Sequence, residues 1–371
     1  MHIDFLNVGQ GDCTLVTPPS GDLLLIDCAD STVAVAHLQR IRQATRRTLG
    51  TVIVSHSDLD HCGGVIAVLE DTLRHRALPV TVYADIDRHK NIPKAWRDLI
   101  AFLQRNYPDK LRVRTVSETP AVVCEDSSAL PVWSVKIVHP DHVQRLSLAS
   151  QLRLAPNPLS YVVEVTLGPT SVLVAGDAHA KALIHASTGP VSVLRAPHHG
   201  ARLSGLSDMY SALEPSVAVV SVGTNNRHEH PHVDHIMAAR AAGCAIACTQ
   251  LTARCCLSPV DVRANFLPRY RRYDVLQTRH ARRNNREVPC AGSVFVTLRA
   301  DGYEVEPDPL THKIWVESML GDRALCVMPQ ASQGPPKSPP PIVPPEPEPV
   351  LPELAYGASS EDSGTTRSAS I

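Results

Sequence analysis

The sequence predicts one large α/β domain, with two contacting sheets flanked by helices, followed by a tail. Three observations carry this expectation. Short apolar segments of strand character alternate with amphipathic helical ones along most of the chain. The first three strand candidates lie close together with Gly-containing turns between them, as in an antiparallel meander. From Gln330 onward the composition shifts to proline, and ten of the eighteen residues between Pro335 and Pro352 are Pro. Such a stretch builds neither sheet ladder nor helix, so 330–371 is expected to be a disordered, proline-rich tail, with partner docking as its functional alternative. Residues 1–329 remain for the folded domain: a core in 1–251, and a basic segment and final hairpin in 252–329.

The elements follow in order. Ile3–Val8, Cys13–Thr17 and Leu23–Ile26 form the meander, Ser31–Arg47 has a helical pattern, and Thr51–Ser55 is a β-branched strand that runs into polar residues. Further helices are expected at Gly63–Arg76, Pro93–Asn106, His179–Ala186, Ser204–Leu213 and Val233–Ala242. Further strands are expected at Val80–Tyr83, Val132–Val138, Tyr161–Leu167, Val172–Ala175, Val191–Leu194, Val217–Val222 and Cys244–Ala247, with a last hairpin around Gly292–Val305.

Composition narrows the functional class. The 371 residues are 43% hydrophobic and 20% charged, which excludes wholesale disorder. With 36 Lys+Arg against 37 Asp+Glu, no global basic field attracts nucleic acid. The local exception is Arg269–Arg286, which holds seven arginines and a single acid. No apolar run approaches the roughly 18 residues of a membrane helix, and the first residues lack the basic and apolar regions of a signal peptide. A soluble, cytoplasmic protein with no membrane contact is expected. The ten cysteines form no CxxC pair, so reduced thiols are the default.

The strongest chemical signal is His56-Ser57-Asp58-Leu59-Asp60-His61-Cys62-Gly63-Gly64, directly after a strand. Two imidazoles and two carboxylates within six residues suit Zn²⁺ or Mn²⁺. A tight loop there can point His56 and Asp58 at one ion, and Asp60 and His61 at a second, while the glycines let the backbone turn sharply into the next helix. Leu24-Leu25-Ile26-Asp27 and Val172-Leu173-Val174-Ala175-Gly176-Asp177 each close an apolar strand with a carboxylate, costly to bury unless paired with a cation or well hydrogen-bonded. His198 and His199 follow another strand. Each of these alone is commonly structural; four ligand-bearing strand ends in one chain are not.

These residues resemble the metallo-β-lactamase superfamily, specifically its branch similar to the soluble domain of ComEC-type competence proteins. The match covers most of Met1–Leu251. It runs through Phe5-Leu6-Asn7-Val8-Gly9-Gln10-Gly11-Asp12, Asp27, the HSDLDHCGG segment, Asn157-Pro158-Leu159-Ser160, Ala175-Gly176-Asp177-Ala178, Pro197-His198-His199-Gly200, and Asn226 with His230-Pro231. The resemblance implies an αββα sandwich with a two-metal site, Zn²⁺ or Mn²⁺, at one edge of the sheets. It assigns His56 and Asp58 to one ion and Asp60 and His61 to the other. Asp177 bridges both, and either His198 or His199 completes the second site. Asp27 orients a ligand without bonding metal, and Asn157 and Ser160 stand where many members of the superfamily carry a histidine. Two ions of this kind activate a bridging water. Asp177 and Asp58 are the candidate acceptors of its proton, and His230 the candidate donor to a leaving oxygen or a phosphate.

The resemblance further implies phosphodiester hydrolysis of DNA. Within the chain, Arg282, Arg283 and Arg286 of the basic segment are candidate phosphate contacts. Arg195 and Arg202 flank the histidine pair as candidate phosphate holders near the metals, with Asn226 as a further substrate residue. The rival is a small-molecule hydrolase of lactones, lactams or thioesters on the same fold. A third reading, an interaction protein with a vestigial site and a recruiting tail, is opposed by the intact ligand set.

Overall fold

A computed structural model describes residues 1–85, 93–141, 157–224, 226–257 and 287–327. These belong to the first of two units, Met1–Pro329; the second, Gln330–Ile371, is the proline-rich segment and lies outside the described residues, as does the basic segment Arg269–Arg286.

The opening meander is β1 (His2–Phe5), β2 (Thr14–Thr17) and β3 (Leu23–Ile26), paired antiparallel in order. Asp30 then caps helix α1 (Ser31–Thr45), accepting from the Thr32 backbone N–H at 2.7 Å. The chain returns through β4 (Leu49–Ile53), the short helix α2 (Leu59–Cys62), α3 (Val65–His75), β5 (Val80–Tyr83), α4 (Lys94–Asn106) and β6 (Leu111–Arg114). β3 to β6 lie parallel, so their C-terminal ends share one sheet edge.

The second half begins with β7 (Ala121–Asp126), β8 (Trp133–His139), β9 (Val162–Leu167) and β10 (Thr170–Val174). It continues through α5 (Ala180–Ala186), β11 (Val193–Arg195), α6 (Leu206–Leu213), β12 (Val217–Val220), α7 (Val233–Ala241) and β13 (Ala245–Cys248). The hairpin β14 (Val294–Arg299) and β15 (Gly302–Glu306) then returns to the first sheet beside β1. Helix α8 (Pro309–Leu320) closes the described chain.

The first sheet runs β15-β14-β1-β2-β3-β4-β5-β6 and the second β13-β12-β11-β10-β9-β8-β7. Period-two alternation decides the layers. Leu24, Ile26 and Ile53 share a core with Val163, Val174, Val193 and Val219 of the other sheet. Their neighbours Leu23, Leu25 and Val52 pack instead on α1, α3 and α4 through Val33, Leu69 and Leu99. Leu173, Leu194 and Ala218 pack on the second helical layer through Leu183, Met209 and Ile236. Strands covered on both faces read as continuous apolar runs, which is why LLLI and VLVA stand out in the sequence. This is the αββα sandwich, each fully buried Leu or Ile contributing about 1.5–3 kcal/mol of transfer free energy.

Four elements are absent from the sequence-based expectation: α2, which lies in the expected HSDLDH loop, β6, β7 and α8. β6 (LRVR) and β7 (AVVCED) are short, half-exposed edge strands with too few apolar residues to stand out. Helix α8 carries a legible start, since Asp308 caps it by accepting from the Thr311 N–H at 3.0 Å and Pro309 opens its first turn. All ten cysteines are free thiols. Among the described residues no helix is long and apolar enough to cross a membrane.

Candidate metal centre

The polar residues collect where strand ends from both sheets meet. Asp27 follows β3, the His56–His61 loop follows β4, Asp177 follows β10, and His198 and His199 follow β11. β3 and β4 pair in parallel with Ile26 opposite Ile53, and β10 and β11 with Val174 opposite Arg195, so each pair of loops leaves its sheet at one level.

Asp177 sits at the middle and is almost wholly buried. Its Oδ1 lies 3.2 Å from His61 Nε2 and 3.6 Å from His199 Nε2. Its Oδ2 faces the other way, 3.7 Å from His56 Nε2 and 3.5 Å from His198 Nε2. Asp60 Oδ2 adds to the first side at 3.3 Å from His199 Nε2, and Asp58 Oδ2 to the second at 3.6 Å from His56 Nε2. The carboxylate thus presents one oxygen to each of two donor groups.

The other ring nitrogens are occupied. His61 Nδ1 lies 2.8 Å from Asp27 Oδ2, and Asp27 also accepts from the Ser55 N–H and hydroxyl, both at 2.6 Å. His56 Nδ1 lies 3.0 Å from Ser55 Oγ and 3.2 Å from Ser160 Oγ. His199 Nδ1 lies 2.9 Å from the Ser221 carbonyl. Anchoring Nδ1 in this way orients each ring and leaves Nε2 for a cation. His56 Nε2 and Asp177 Oδ1 are buried with no hydrogen-bond partner, a costly state that a bound cation relieves. Asn157 Nδ2 donates to Asp177 Oδ2 at 3.1 Å. On these grounds the residues fit divalent metal.

The electrostatics agree. Burial opposes ionisation of Asp177, but the charges of His61 and His199 outweigh it and hold the carboxyl well below the usual carboxylate range. Asp60 is held down in the same sense, by its hydrogen bond with His199 and the charge of His61 acting against burial. Burial likewise opposes charge on His61, yet Asp177 and Asp27 raise it well above the ordinary imidazole value. A pocket that holds protons on buried imidazoles is a pocket short of positive charge.

The backbone is strained to reach this geometry. His198 and His199 both adopt the left-handed region, at φ 49° and 53°, which costs on the order of 1–3 kcal/mol per residue. Gly63 and Gly64 do not supply unusual dihedrals, having φ of −61° and −98°. They supply room: a Cβ at Gly64 would stand 2.7 Å from Cys28 Sγ and from the Ser31 N atom.

The structure brings together Asp27, His56, Asp58, Asp60, His61, Asn157, Ser160, Asp177, His198 and His199. His230 stands at the rim, half-buried, with ring centroids 5.7 Å from His198 and 6.4 Å from His199. Burial and then the neighbouring His199, His198 and His228 push its imidazole down to about 3. Two expectations, for Arg195 and Asn226, differ from what the structure shows. Arg195 is not a substrate residue: it is fully buried and donates to the carbonyls of Gly176 and Ala196, each at 2.8 Å, and to Asp12. Arg202 is exposed and pairs with Asp234 at 2.9 Å. Asn226 engages its own loop, donating to the carbonyls of Gly223 and His230 at 2.8 and 2.9 Å and accepting from the His230 N–H at 2.8 Å. It therefore holds His230 in place. Arg282, Arg283 and Arg286 lie outside the described residues. Asp12, whose Oδ2 lies 3.7 Å from His61 Nδ1, is the residue that sequence reasoning missed, although it closes the VGQGD segment.

A family model of the metallo-beta-lactamase superfamily matches residues 6–223, more than half of the chain. The chain belongs to that superfamily. Two curated relatives agree with the branch read from the motifs. Recombination protein 2 of Haemophilus influenzae is 28% identical over 237 residues, covering 62% of this chain and 25% of that protein. ComE operon protein 3 of Bacillus subtilis is 24% identical over 252 residues, covering 62% and 29%. The chain thus spans about a quarter of the length of these relatives. Among solved structures, the metallo-beta-lactamase fold protein YhfI from Bacillus subtilis superposes with a TM-score of 0.44 at 12% identity, over 67% of this chain and 95% of that one.

Plasma mass spectrometry of the purified protein is expected to find up to two divalent ions per chain, and Asp60→Ala or His61→Ala to remove most of one equivalent. Full stoichiometry in both variants would break the ligand assignment.

Proposed function

We propose that the chain is a phosphodiesterase acting on nucleic acid through two divalent cations, Zn²⁺ or Mn²⁺, held by His56, Asp58, Asp60, His61, Asp177, His198 and His199. The observation that carries this reading is Asp177, whose two oxygens face two separate His/Asp groups. When bound, such a pair supplies a water acidic enough to attack at neutral pH and counter-charge for phosphoryl oxygens. Asp177 and Asp58 accept the proton. Asp58, with a side chain 39% exposed, does so on the side where substrate arrives. His230 is neutral near pH 7, so it acts by donating an N–H hydrogen bond to the leaving oxygen or a phosphate. The name of Recombination protein 2 and the arginine segment favour a nucleic-acid substrate, and free thiols favour the cytoplasm.

The test is hydrolysis of single- and double-stranded DNA and of bis-p-nitrophenyl phosphate with Mn²⁺ and with Zn²⁺, beside nitrocefin, lactone and thioester substrates. Turnover of the phosphodiesters is expected. Turnover of a lactone or thioester alone would replace this reading with the small-molecule hydrolase.

The arginine segment is expected to act through charge. Replacing Arg282, Arg283 and Arg286 with Ala should weaken DNA binding and leave bis-p-nitrophenyl phosphate turnover unchanged, because that substrate reaches only the centre. The slope of log K against log salt should fall by roughly 0.7–0.9 for each phosphate that is no longer neutralised. A triple variant that binds and cleaves DNA as wild type does would make the segment a solvated surface.

A further inference from the structure

Arg195 holds a full charge with no solvent-accessible surface, which is costly unless its donors are matched. Its partners lie next to separate parts of the centre. Nη1 donates to the Gly176 carbonyl, just before Asp177, and to the Ala196 carbonyl, which opens the turn carrying His198 and His199. Nη2 donates to Asp12 Oδ1. Asp12 is itself tied into the ligand loops: its N–H donates to the Asp60 carbonyl at 2.9 Å, and its carbonyl accepts from the Ala29 N–H at 2.8 Å.

The informative contact is at His199. Nδ1 lies 2.9 Å from the Ser221 carbonyl and also 3.0 Å from Arg195 Nη2. A carbonyl only accepts and a guanidinium only donates, so Nδ1 of a neutral ring satisfies one of them at a time. With its proton on Nδ1, the ring donates to Ser221 and turns the Nε2 lone pair toward Asp60 and Asp177. With a lone pair on Nδ1, it accepts from Arg195 and places an N–H where a cation would sit. Nη2 carries two N–H groups, so Asp12 decides the competition by charge and not by occupancy: its carboxylate favours a proton over a lone pair on the nearby Nδ1. Its Oδ1 also stands 3.8 Å from His199 Nδ1, favouring a proton there.

We infer that Asp12 is a positioning residue that holds the Arg195 guanidinium off His199, fixes His199 with its proton on Nδ1, and so sets the affinity of the cation site formed by Asp60, His61 and His199. The inference rests on reading the centre as a cation site. It also explains why a buried arginine stands beside cation ligands: it braces the Gly176 and Ala196 carbonyls, and Asp12 keeps it from competing for the ring.

The test titrates Co²⁺ and Zn²⁺ into metal-stripped full-length protein by calorimetry, with the visible ligand-field spectrum of the Co²⁺ form and ¹⁵N imidazole spectra at alkaline pH. Asp12→Asn is expected to weaken one site about 10–100-fold, the range for loss of an outer partner of a metal ligand. It should also change the Co²⁺ spectrum and move the His199 proton to Nε2. Adding Arg195→Met removes the competitor but also the brace on the Gly176 and Ala196 carbonyls, so the deciding readout is the proton: the double variant should return the His199 proton to Nδ1, which generic loss of packing would not do. Wild-type affinity in Asp12→Asn, or a double variant whose His199 proton stays on Nε2, overturns the inference. Should the single variant fail to fold, the wild-type ¹⁵N spectrum still decides: a neutral His199 carrying its proton on Nε2 overturns it. Wild-type protein that binds neither ion defeats the cation reading itself.

Discussion

Asp177→Ala is expected to abolish hydrolysis of every substrate the protein turns over, with kcat/KM falling by on the order of 10³-fold or more. That is about 4 kcal/mol of transition-state stabilisation. Loss of an outer partner such as Asn157, which donates to Asp177 Oδ2, belongs to the smaller range of about 10–100-fold. The difference follows from geometry. Among the described residues, Asp177 is the single one whose two oxygens face both donor groups, with His61 and His199 on one side and His56 and His198 on the other. Removing it takes a ligand from each group and the shared proton acceptor. It also leaves three buried imidazoles facing one another without their counter-charge, since His56, His61 and His199 all lie within 4 Å of this carboxylate. Asp177→Asn keeps the shape and one acceptor oxygen but loses the charge, so it should retain more metal than the alanine variant while remaining nearly inactive. Steady-state kinetics with bis-p-nitrophenyl phosphate beside metal content by plasma mass spectrometry measures both. An alanine variant with more than a tenth of wild-type activity would remove Asp177 from the centre of the mechanism.

What the sequence makes legible is local. The HSDLDH segment carries four donors within six residues, and the apolar strands ending in Asp27 and Asp177 announce carboxylates that need partners. The αββα layering is legible for a similar reason, because strands covered on both faces have no polar alternation to hide them. What stays hidden depends on contacts across long stretches of chain. Arg195 reads as a phosphate ligand because a cation beside a histidine pair usually faces solvent; its counter-ion is Asp12, 183 residues away, and no local pattern predicts that pairing. The choice between His198 and His199 is hidden too. Both residues take left-handed backbone, and the fold then divides them, His199 toward Asp60 and His198 toward Asp177 and Asn157. The edge strands escaped for the opposite reason: short and partly exposed, they carry too few apolar residues to register.

Gly11→Ala is expected to be the most damaging small substitution, because it strikes the fold and the centre together. Gly11 has φ of +129°, a region side chains rarely adopt, and a Cβ there would stand 2.4 Å from Ala29 Cβ and 2.4 Å from the Asp60 carbonyl oxygen. Neither neighbour is a flexible side-chain end. The backbone strain costs on the order of 1–3 kcal/mol, and overpacking typically adds about 1–3 kcal/mol. A total of roughly 2–6 kcal/mol is a large share of the about 5–15 kcal/mol that ordinarily separates folded from unfolded chains. At roughly 2–4 °C per kcal/mol, the melting temperature should fall by about 4–24 °C. Gly21→Ala supplies the control, since Gly21 also has positive φ, +79°, yet a Cβ there meets nothing within 4 Å. It should cost only the left-handed backbone penalty of about 1–2 kcal/mol. The two variants also separate at the centre. The Asp60 carbonyl that Gly11→Ala displaces accepts the Asp12 N–H, so the clash moves Asp60 and Asp12 together, away from His199 and His61. Gly11→Ala should therefore lose most of one cation equivalent even at temperatures where it remains folded, while Gly21→Ala keeps full stoichiometry. Equal melting temperatures and equal metal content in the two variants would mean that the VGQGD turn does not support the Asp60 loop.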